Sequence, residues 1–237
     1  QVLDAADFGV PQRRKRFFIL ATRFPDWKLV SPIPLDIEKV TVGDALLDLP
    51  DVIPNSNIEG IAYTDFNSSY SMLMKNDVFW HREGFGKKQI TNHLPMKHRD
   101  CTLKRFSLLQ SGESLKNLFD KFQGAEREEL QRQRILPKKM FIKRNYRLPL
   151  DEAAPTVTSH CLDEFVHPTS NRALTVRECA RLQSFPDSYE FVGGPYIVPH
   201  IDRSVQDKYE QIGDAVPPLL AYAWGKVIIK ILEDYAK

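Results

Sequence analysis

The stretch that decides the fold is RALTVRECARLQSFPD, which runs from Arg172 to Asp187. Thr175 followed three residues later by Glu178 is a capping box, in which each side chain bonds the backbone amide of the other at a helix start. Pro186 cannot continue a helix. The pattern therefore predicts a helix that begins at Thr175 and ends near Phe185.

Two arginines one turn apart distinguish this helix from an ordinary amphipathic one. Arg177 and Arg181 are separated by four residues, so they project from the same face. A solvated face is the usual interpretation of such a pair. The alternative is that the two arginines have a structural or functional role. What supports this alternative is the whole stretch from Arg172 to Asp187 and not the arginines alone.

The string resembles motif IX of the DNA (cytosine-5) methyltransferases, whose pattern is Arg-x-x-Thr-x-Arg-Glu-x-Ala-Arg-Leu-Gln followed by Phe-Pro. The matching positions are Arg172, Thr175, Arg177, Glu178, Ala180, Arg181, Leu182, Gln183, Phe185 and Pro186. Residues 9–16, GVPQRRKR, resemble motif VIII of the family, and residues 211–218, QIGDAVPP, resemble motif X. Three elements in the family's order identify the chain as a member of this family.

The resemblance implies an α/β fold that combines two parts. One is the incomplete C-terminal part of a Rossmann-like methyltransferase domain, and the other is an irregular, mixed α/β target-recognition domain. Residues 1–49 would end the catalytic domain, residues 50–195 would form the target-recognition domain including motif IX, and residues 196–237 would carry motif X and a helix that returns to the catalytic domain. The long middle region favours a sequence-specific bacterial DNA enzyme of the cytoplasm, as in restriction-modification, over the tRNA-modifying branch of the family.

The elements that begin the family's chemistry do not occur in the sequence. The family uses a cysteine in Pro-Cys-Gln, a glutamate in Glu-Asn-Val and a Gly-rich loop for S-adenosylmethionine, and none of the three is present. Cys101, Cys161 and Cys179 lie in other contexts, and Cys179 is best explained as a packed residue of the motif IX helix. The tripeptide at residues 84–86, Gly-Phe-Gly, is interpreted as a turn. The chain alone is therefore expected to transfer no methyl group.

The resemblance also assigns roles to individual residues. Cytosine must leave the duplex to react, and Arg16 of motif VIII would lie beside the flipped base while Gln12 and Arg14 hold the active-site loop and nearby phosphates. The expected contacts with S-adenosylmethionine in the complete enzyme are Gly213, Asp214, Ala215 and Val216. Asp214 stands where the family usually has Asn, which puts a carboxylate in place of a neutral amide. The residues expected to hold the target-recognition domain together are Arg172, Thr175, Arg177, Glu178 and Arg181.

Basic residues are concentrated in two places although the net charge is only +2. The first cluster, residues 13–16, runs into an apolar strand at 16–22 that is expected to be buried in a parallel sheet, which argues against a nuclear localisation signal. The second spans residues 132–147 without an acidic residue. A solvated charge run is the alternative there, but the interleaved aromatic residues favour contact with duplex DNA. The predicted DNA contacts are Arg13, Lys138, Lys139, Lys143, Arg144 and Thr156.

Periodicity predicts the remaining elements. Helices are expected at residues 41–49, 102–109, 113–122 and 126–135, the last of them exposed, whereas residues 52–80 are expected to be irregular. A final helix starts at Pro217-Pro218. Its apolar stripe would remain partly exposed or pack on the 16–22 strand, and it consists of Leu220, Trp224, Val227, Ile228 and Ile231.

The sequence favours neither a metal site nor a membrane protein. Three cysteines without regular spacing indicate no disulfide framework and a reducing compartment. The histidines and cysteines fit no standard zinc spacing. The two groups considered are His93, His98 and Cys101, and His160, Cys161 and His167. No signal peptide or membrane span is visible.

Three functional hypotheses follow. The chain is the C-terminal part of a single-chain DNA cytosine methyltransferase, which the first residue, Gln1 in place of Met, supports. Alternatively, it is a natural subunit of a split enzyme, completed by a partner that carries the missing motifs. The third hypothesis is a non-catalytic DNA-binding module, for which Asp214 is the faint support.

Overall fold

The computed structural model describes residues 1–23, 30–83, 89–197 and 206–235. Strands β1 (Val2–Asp4) and β2 (Lys15–Phe17) pair antiparallel, and strands β3 (Tyr146–Arg147) and β4 (Phe165–Val166) pair parallel. The helices are α1 (Val42–Leu46), α2 (Ser69–Met74), α3 (Asp100–Ser107), α4 (Leu115–Lys121), α5 (Gly124–Arg132), α6 (Cys161–Glu164), α7 (Val176–Leu182), α8 (Lys208–Asp214) and α9 (Pro218–Tyr235). Short strands and helices of this kind leave most of the chain in loops that cross between elements.

Helix α7 begins where the capping box places it. The amide of Glu178 donates to Thr175 Oγ1 at 3.2 Å, and the amide of Thr175 donates to Glu178 Oε2 at 2.7 Å. The predicted start is confirmed. The predicted end near Phe185 is wrong, because the helix stops at Leu182 and Ser184 turns to the left-handed region at φ 64°.

Most of the other helices lie where periodicity predicts them. Helices α1, α3, α4 and α5 overlap the four expected ranges, and none of the residues of α5 is buried. The expectation that residues 52–80 are irregular is wrong in part, because α2 lies among them. Its capping box joins Ser68 and Ser71, a weaker signal than a pair with Glu or Gln.

The predicted buried strand at residues 16–22 is also corrected. Strand β2 is confined to Lys15–Phe17 and pairs antiparallel with β1, not within a parallel sheet. Phe17 is 68% exposed and Ile19 is 81% exposed. Phe18, on the other face, packs on Trp224 of α9 with ring centroids 5.3 Å apart. A single covering helix buries only one face, which explains why the continuous apolar run misled the prediction.

Two separate clusters of buried apolar residues hold the described chain together. The larger one draws on helices α1, α2, α7, α8 and α9 and on residues as far apart as Leu3 and Trp224. The smaller one gathers Phe106, Leu109, Leu115, Leu118, Phe119, Leu136 and Val166. The second cluster therefore supports α3, α4 and the loop that follows α5. The domain boundaries at residues 49 and 195 stay a prediction.

The apolar stripe of helix α9 is partly exposed and also packs on the 16–22 segment through Trp224 and Phe18, so each of the two sequence alternatives holds in part. Leu220, Trp224 and Ile231 are buried, whereas Ile228 is 38% exposed. The segment Lys208–Asp234 is long and apolar enough to cross a membrane by length and composition alone, with a mean hydropathy of 1.4. It comprises two helices, α8 and α9, separated around Pro217, and 22% of its apolar 18-residue window is buried. The Gly-Phe-Gly turn expected at residues 84–86 lies outside the described residues.

Candidate functional site

Arg181 of α7 is enclosed by two carboxylates from different parts of the chain. Its guanidinium donates to both carboxylate oxygens of Asp48, at 2.9 and 3.0 Å, and to both of Asp187, at 2.5 and 2.6 Å. Tyr63 donates to the same Asp187 carboxylate at 2.7 Å. Burial alone would lower the pKa of Arg181, but the two carboxylates outweigh burial and raise it. Arg181 is thus a fixed cation that joins the end of α1 to the segment after α7.

Arg172 makes a comparable pair at the start of the same helix. Its two terminal nitrogens donate to the two carboxylate oxygens of Glu178, both at 2.8 Å, and one of them reaches Asp51 at 3.1 Å. Burial alone would raise the pKa of Glu178, but the charge of Arg172 outweighs burial and lowers it. Bidentate pairs of this geometry are the strong form of a charge-assisted hydrogen bond. Glu178 therefore serves both the capping box and the ion pair.

Arg177 is satisfied mainly by backbone carbonyls. It donates to the carbonyl oxygens of Thr91 at 2.9 Å, Pro186 at 3.2 Å and Tyr189 at 2.7 Å. Desolvation by burial lowers the pKa of this guanidinium, since Asp187 lies only at the edge of ion-pair distance, 4.0 Å. Arg172, Arg177 and Arg181 are all fully buried, so the solvated-face interpretation is wrong.

A buried histidine extends the capping box. The ring of His93 lies between Thr175 Oγ1 and the carbonyl oxygen of Pro50, 2.8 Å from each. A carbonyl only accepts, so Nε2 carries the proton and the hydroxyl of Thr175 donates to Nδ1. Burial lowers the pKa of His93, which keeps the ring neutral. Sequence reasoning considered His93 only as a metal ligand and missed this contact.

Gln12 and Arg14 of the motif VIII-like segment point into the protein. The amide nitrogen of Gln12 donates to the carbonyl oxygen of Leu182 at 2.9 Å and to the side chain of Gln183, while its oxygen accepts from the amide of Val157 at 2.9 Å. Arg14 donates to the carbonyl oxygens of Val157 and Gly213, both at 2.6 Å. Desolvation by burial, with repulsion from Arg16, lowers the pKa of Arg14 to about 10.

Gln183 completes the connection to the motif X-like segment. Its amide donates to the carbonyl oxygens of Ile212 at 3.0 Å and Ala215 at 2.9 Å. Gly213 allows residues 158–159 to pack closely against this segment, because a Cβ there would lie 2.1 Å from the nitrogen of Ser159. The three segments that resemble family motifs, together with residues 157–159, therefore meet at one point of the fold.

Arg16 and the cofactor candidates lie nearer the surface. Arg16 is half-buried and donates to the carbonyl oxygen of its neighbour Lys15 at 2.9 Å. Asp214 is exposed, and its carboxylate accepts from Gln206 at 3.0 Å. Val216 is 47% exposed, and Ala215 is half-buried. The charge of Arg16 lowers the pKa of Arg14 and that of Asp214 raises it, so the structure brings the motif VIII and motif X candidates into one neighbourhood.

The DNA-contact candidates fall in two places. Arg13 is exposed and pairs with Glu152 at 3.1 Å, and its carbonyl oxygen accepts from the hydroxyl of Thr156 at 2.7 Å. The others lie in the loop of residues 137–144, which is called the basic loop below. All four of them are exposed, namely Lys138, Lys139, Lys143 and Arg144. Arg144 pairs with Asp163 at 3.3 Å.

Arg147, at the end of the second basic cluster, does not belong to its exposed surface. It is buried and donates to the carbonyl oxygens of Phe106 at 2.7 Å, His167 at 2.8 Å and Leu109 at 3.0 Å. Including it in a phosphate-contacting surface is therefore wrong. Its position in β3, between Tyr146 and the buried Leu148, is the signal that could have separated it from the loop cations.

Several of the histidines and cysteines considered as metal ligands have partners within the protein. His98 accepts from the amide of Ala173 at 3.2 Å, and Cys161 lies 3.3 Å from Cys179, sulfur to sulfur, with both residues buried. Burial raises the pKa of the Cys179 thiol, as suits a packed residue. Across the described ranges, no group of three or more His, Cys, Asp or Glu side chains is arranged to hold a metal ion.

Comparison with known proteins gives consistent matches. The family model described as C-5 cytosine-specific DNA methylase matches residues 1–230. The type II methyltransferase M.DdeI of Desulfomicrobium norvegicum is 30% identical over 98% of this chain and 54% of its own length, and M1.HphI of Haemophilus parahaemolyticus is 29% identical over 98% and 47%. The rice DNA (cytosine-5)-methyltransferase 1A is 48% identical over 67 residues, which are 28% of this chain and 4% of the rice protein.

A solved structure shares the fold. It is described as a candidate DNA modification methyltransferase encoded within a prophage of E. coli, and it superposes with a TM-score of 0.66 at 23% identity over 98% of this chain and 60% of its own. This chain thus spans about half the length of the curated relatives it matches.

Proposed function

This chain belongs to the C-5 cytosine-specific DNA methylase family, and from that premise we propose that it is the C-terminal, target-recognition portion of a DNA (cytosine-5) methyltransferase. The complete enzyme would transfer a methyl group from S-adenosylmethionine to C5 of a flipped cytosine in duplex DNA, in a bacterial cytoplasm. The partial coverage of the relatives, together with the missing Pro-Cys-Gln and Glu-Asn-Val, supports a portion that needs the remaining motifs.

One observation carries the proposal. Gln12 is 171 residues from Gln183, and Arg14 is 199 residues from Gly213, yet a direct buried hydrogen bond joins each pair. Gln183 also donates to the carbonyl oxygens of Ile212 and Ala215, close to Gly213. Buried polar groups are costly unless they are paired in this way. Paired, buried polar side chains lie where the three motif-like segments meet, and this supports an intact active-site scaffold. In this proposal Gln12 and Arg14 are positioning residues.

The cofactor contacts are proposed on the exposed edge of the same scaffold. S-adenosylmethionine supplies the methyl group when bound. The carbonyl oxygens of Gly213 and Ala215 are already used by Arg14 and Gln183, which leaves the exposed side chains of Asp214 and Val216 to border a cofactor. Asp214 accepts a hydrogen bond from the neutral amide of Gln206, so one carboxylate oxygen has a partner while the negative charge stays on the exposed side chain.

Each remaining residue role is proposed from its position. Arg16 would donate to the flipped cytosine, since it is half-buried beside Arg14 and retains a planar set of donors. The basic loop and Arg13 would contact phosphates, because their cations face solvent. The buried charges of α7 would hold the target-recognition domain on the scaffold.

The test is reconstitution of methyl transfer. The chain is mixed with a polypeptide that carries the family's Pro-Cys-Gln, Glu-Asn-Val and Gly-rich elements and that binds S-adenosylmethionine by calorimetry. Transfer of a labelled methyl group to duplex DNA is expected from the mixture and from neither part alone. Arg16→Lys should lower the rate of the mixture without preventing assembly, whereas Arg23→Lys, at an exposed position outside both basic clusters, is the matched control. Methyl transfer by the chain alone, or none by the mixture, would contradict the proposal.

A further inference from the structure

We infer that the apolar tip of the basic loop, Met140, Phe141 and Ile142, contacts the DNA bases and sets sequence preference, while the lysines around it hold phosphates. This inference rests on the proposed function. It adds the residues that would discriminate one DNA sequence from another.

Three consecutive large apolar side chains are exposed at this tip. Met140 is 44% exposed, Phe141 42% and Ile142 65%. Runs of this kind are avoided on surfaces that have no contact to make, because they favour association. On either side of the run lie Lys138 and Lys139, and Lys143 and Arg144. None of the three lysines has a carboxylate at ion-pair distance among the described residues.

The base of the loop is held rigidly. Arg105 of α3 donates to the carbonyl oxygens of Arg134 and Ile135 before the loop and to the side chain of Asn145 after it. Asn145 in turn donates twice to the carbonyl oxygen of Asp163, at 3.1 Å each. One arginine thus joins both ends of the loop. A loop with a fixed base loses less conformational entropy when its tip binds.

The aromatic ring at the tip is also oriented. The guanidinium of Arg144 lies 4.7 Å from the centroid of the Phe141 ring and 3.3 Å from the carboxylate of Asp163. The amide of Leu115 donates to the carbonyl oxygen of Arg144 at 3.1 Å, which ties this residue to α4. One face of the Phe141 ring therefore stacks on Arg144, and the exposed edge of the ring can contact a ligand.

A cavity of about 300 Å³ beside the loop adds cations to the same surface. Its lining includes Lys97, Arg99, Arg105, Phe141, Arg144 and Asp163. Lys97 and Arg99 are exposed at the start of α3. The apolar tip consequently lies among cations from two separate segments. Such a surface is complementary to a polyanion that also exposes apolar groups between its negative charges.

Duplex DNA fits this combination better than a lipid surface does. Its phosphates neutralise cations, and its grooves present thymine methyl groups and base edges that apolar side chains contact. Three apolar residues on one short loop offer less than the long apolar face with which interfacial helices bind membranes. The lysines, in contact with phosphates, would add affinity without sequence information.

The experiment compares two triple variants of the whole chain. They are Met140→Ser with Phe141→Ser and Ile142→Ser, and Lys138→Ala with Lys139→Ala and Lys143→Ala. Ile58→Ser is the control, since Ile58 is 75% exposed without flanking cations. The probe is a pool of duplexes with a randomised core. Affinity is measured by anisotropy from about 50 to about 200 mM salt, and the bound fraction is sequenced. Circular dichroism verifies that each variant is folded.

The two variants should fail in different ways. The apolar variant should keep the salt dependence of the wild type and lose about ten-fold or more of the enrichment for preferred sequences. The lysine variant should keep the enrichment, and its log–log salt slope should be shallower by about 2 to 3. The control should match the wild type in both measurements.

Several results would overturn the inference while leaving the proposed function intact. One is an apolar variant that enriches the same sequences as the wild type, and another is a wild type that binds duplexes without enriching any. Preference of the wild type for phosphatidylserine vesicles over the duplex pool, lost in the apolar variant, would identify a membrane surface. If the wild type binds no duplex at any salt concentration, the proposed function itself fails.

Discussion

Helix α7 and the basic loop invert the usual distribution of charged and apolar side chains. The arginines of α7 are fully buried, whereas the apolar residues of the loop face solvent, with Ile142 65% exposed. The difference is the supply of partners within the chain. Each α7 guanidinium meets carboxylates or carbonyl oxygens, while the loop lysines meet none among the described residues. The buried arginines, which have partners within the chain, stabilise the fold. The apolar residues that lie among unpartnered lysines form a surface for contact with another molecule.

The largest effect is expected where that internal pairing is broken. Arg181→Met should lower the free energy of unfolding by about 3–5 kcal/mol, because it removes the bidentate partner of two buried carboxylates. Among the described residues, Asp48 would keep only the cation of Lys75, at 3.2 Å, and Asp187 only that of Arg177, at 4.0 Å. Urea denaturation measures the change. The control is Arg132→Met on α5, whose side chain is 75% exposed and should contribute less than about 0.5 kcal/mol. A loss of stability below about 1 kcal/mol for Arg181→Met would show that the buried charge of Arg181 is not required to hold the two carboxylates.

A smaller effect tests the close contact between α8 and residues 158–159. Gly213→Ala places a Cβ 2.1 Å from the nitrogen of Ser159, so the backbone must move, at a cost of about 1–3 kcal/mol. Gly225→Ala on α9 is the matched control, because no described atom lies within 4 Å of its Cβ position. Alanine has the higher helix propensity, so this control should raise stability by up to about 1 kcal/mol. Thermal unfolding of the two variants should therefore shift in opposite directions, and a common direction would refute the packing argument.

The same contrast explains how far the sequence could be interpreted. The start of α7 was predictable, because its capping box is local and both partners are three residues apart. The burial of Arg181 was not, because Asp48 approaches from 133 residues away. The predicted strand at residues 16–22 was too long for a related reason. An apolar run is buried on both faces only when other parts of the chain cover both faces, and Ile19 remains exposed.

The candidate site follows the same division. Resemblance placed Gln12 and Arg14 among the functional residues, but their hydrogen bonds to Gln183 and Gly213 depend on the tertiary fold. Gln183 matched the family pattern without receiving a role. Arg147 was grouped with the loop cations, although it lies in β3 and is buried. Sequence patterns thus located the segments, and only the fold separated inward from outward cations.

The smallest effect concerns the acid sensitivity of the α7 charges. His167 lies 3.5 Å from Glu178, and burial lowers its pKa to about 4. An unfolded histidine titrates near 6.5, so between about pH 6.5 and 4 the unfolded chain binds the additional proton. Stability should therefore fall as the pH is lowered through this window, by about 1–2 kcal/mol at pH 5 relative to pH 7 for this residue. The lowered pKa of Glu178 acts in the same direction at still lower pH.

Urea denaturation between pH 7 and pH 5 isolates the contribution of His167. His167→Asn removes the titrating group, so the fall in stability should be smaller than in the wild type by about 1–2 kcal/mol. His160→Asn, at an exposed position, should leave the fall unchanged. Salt should barely alter the effect, because buried groups are poorly screened, whereas DNA binding through the basic loop should weaken steeply with salt. An identical pH dependence in the wild type and His167→Asn would mean that His167 is protonated in the folded protein as readily as in the unfolded chain. The contrast between the buried charges near α7 and the exposed charges of the loop would then not hold.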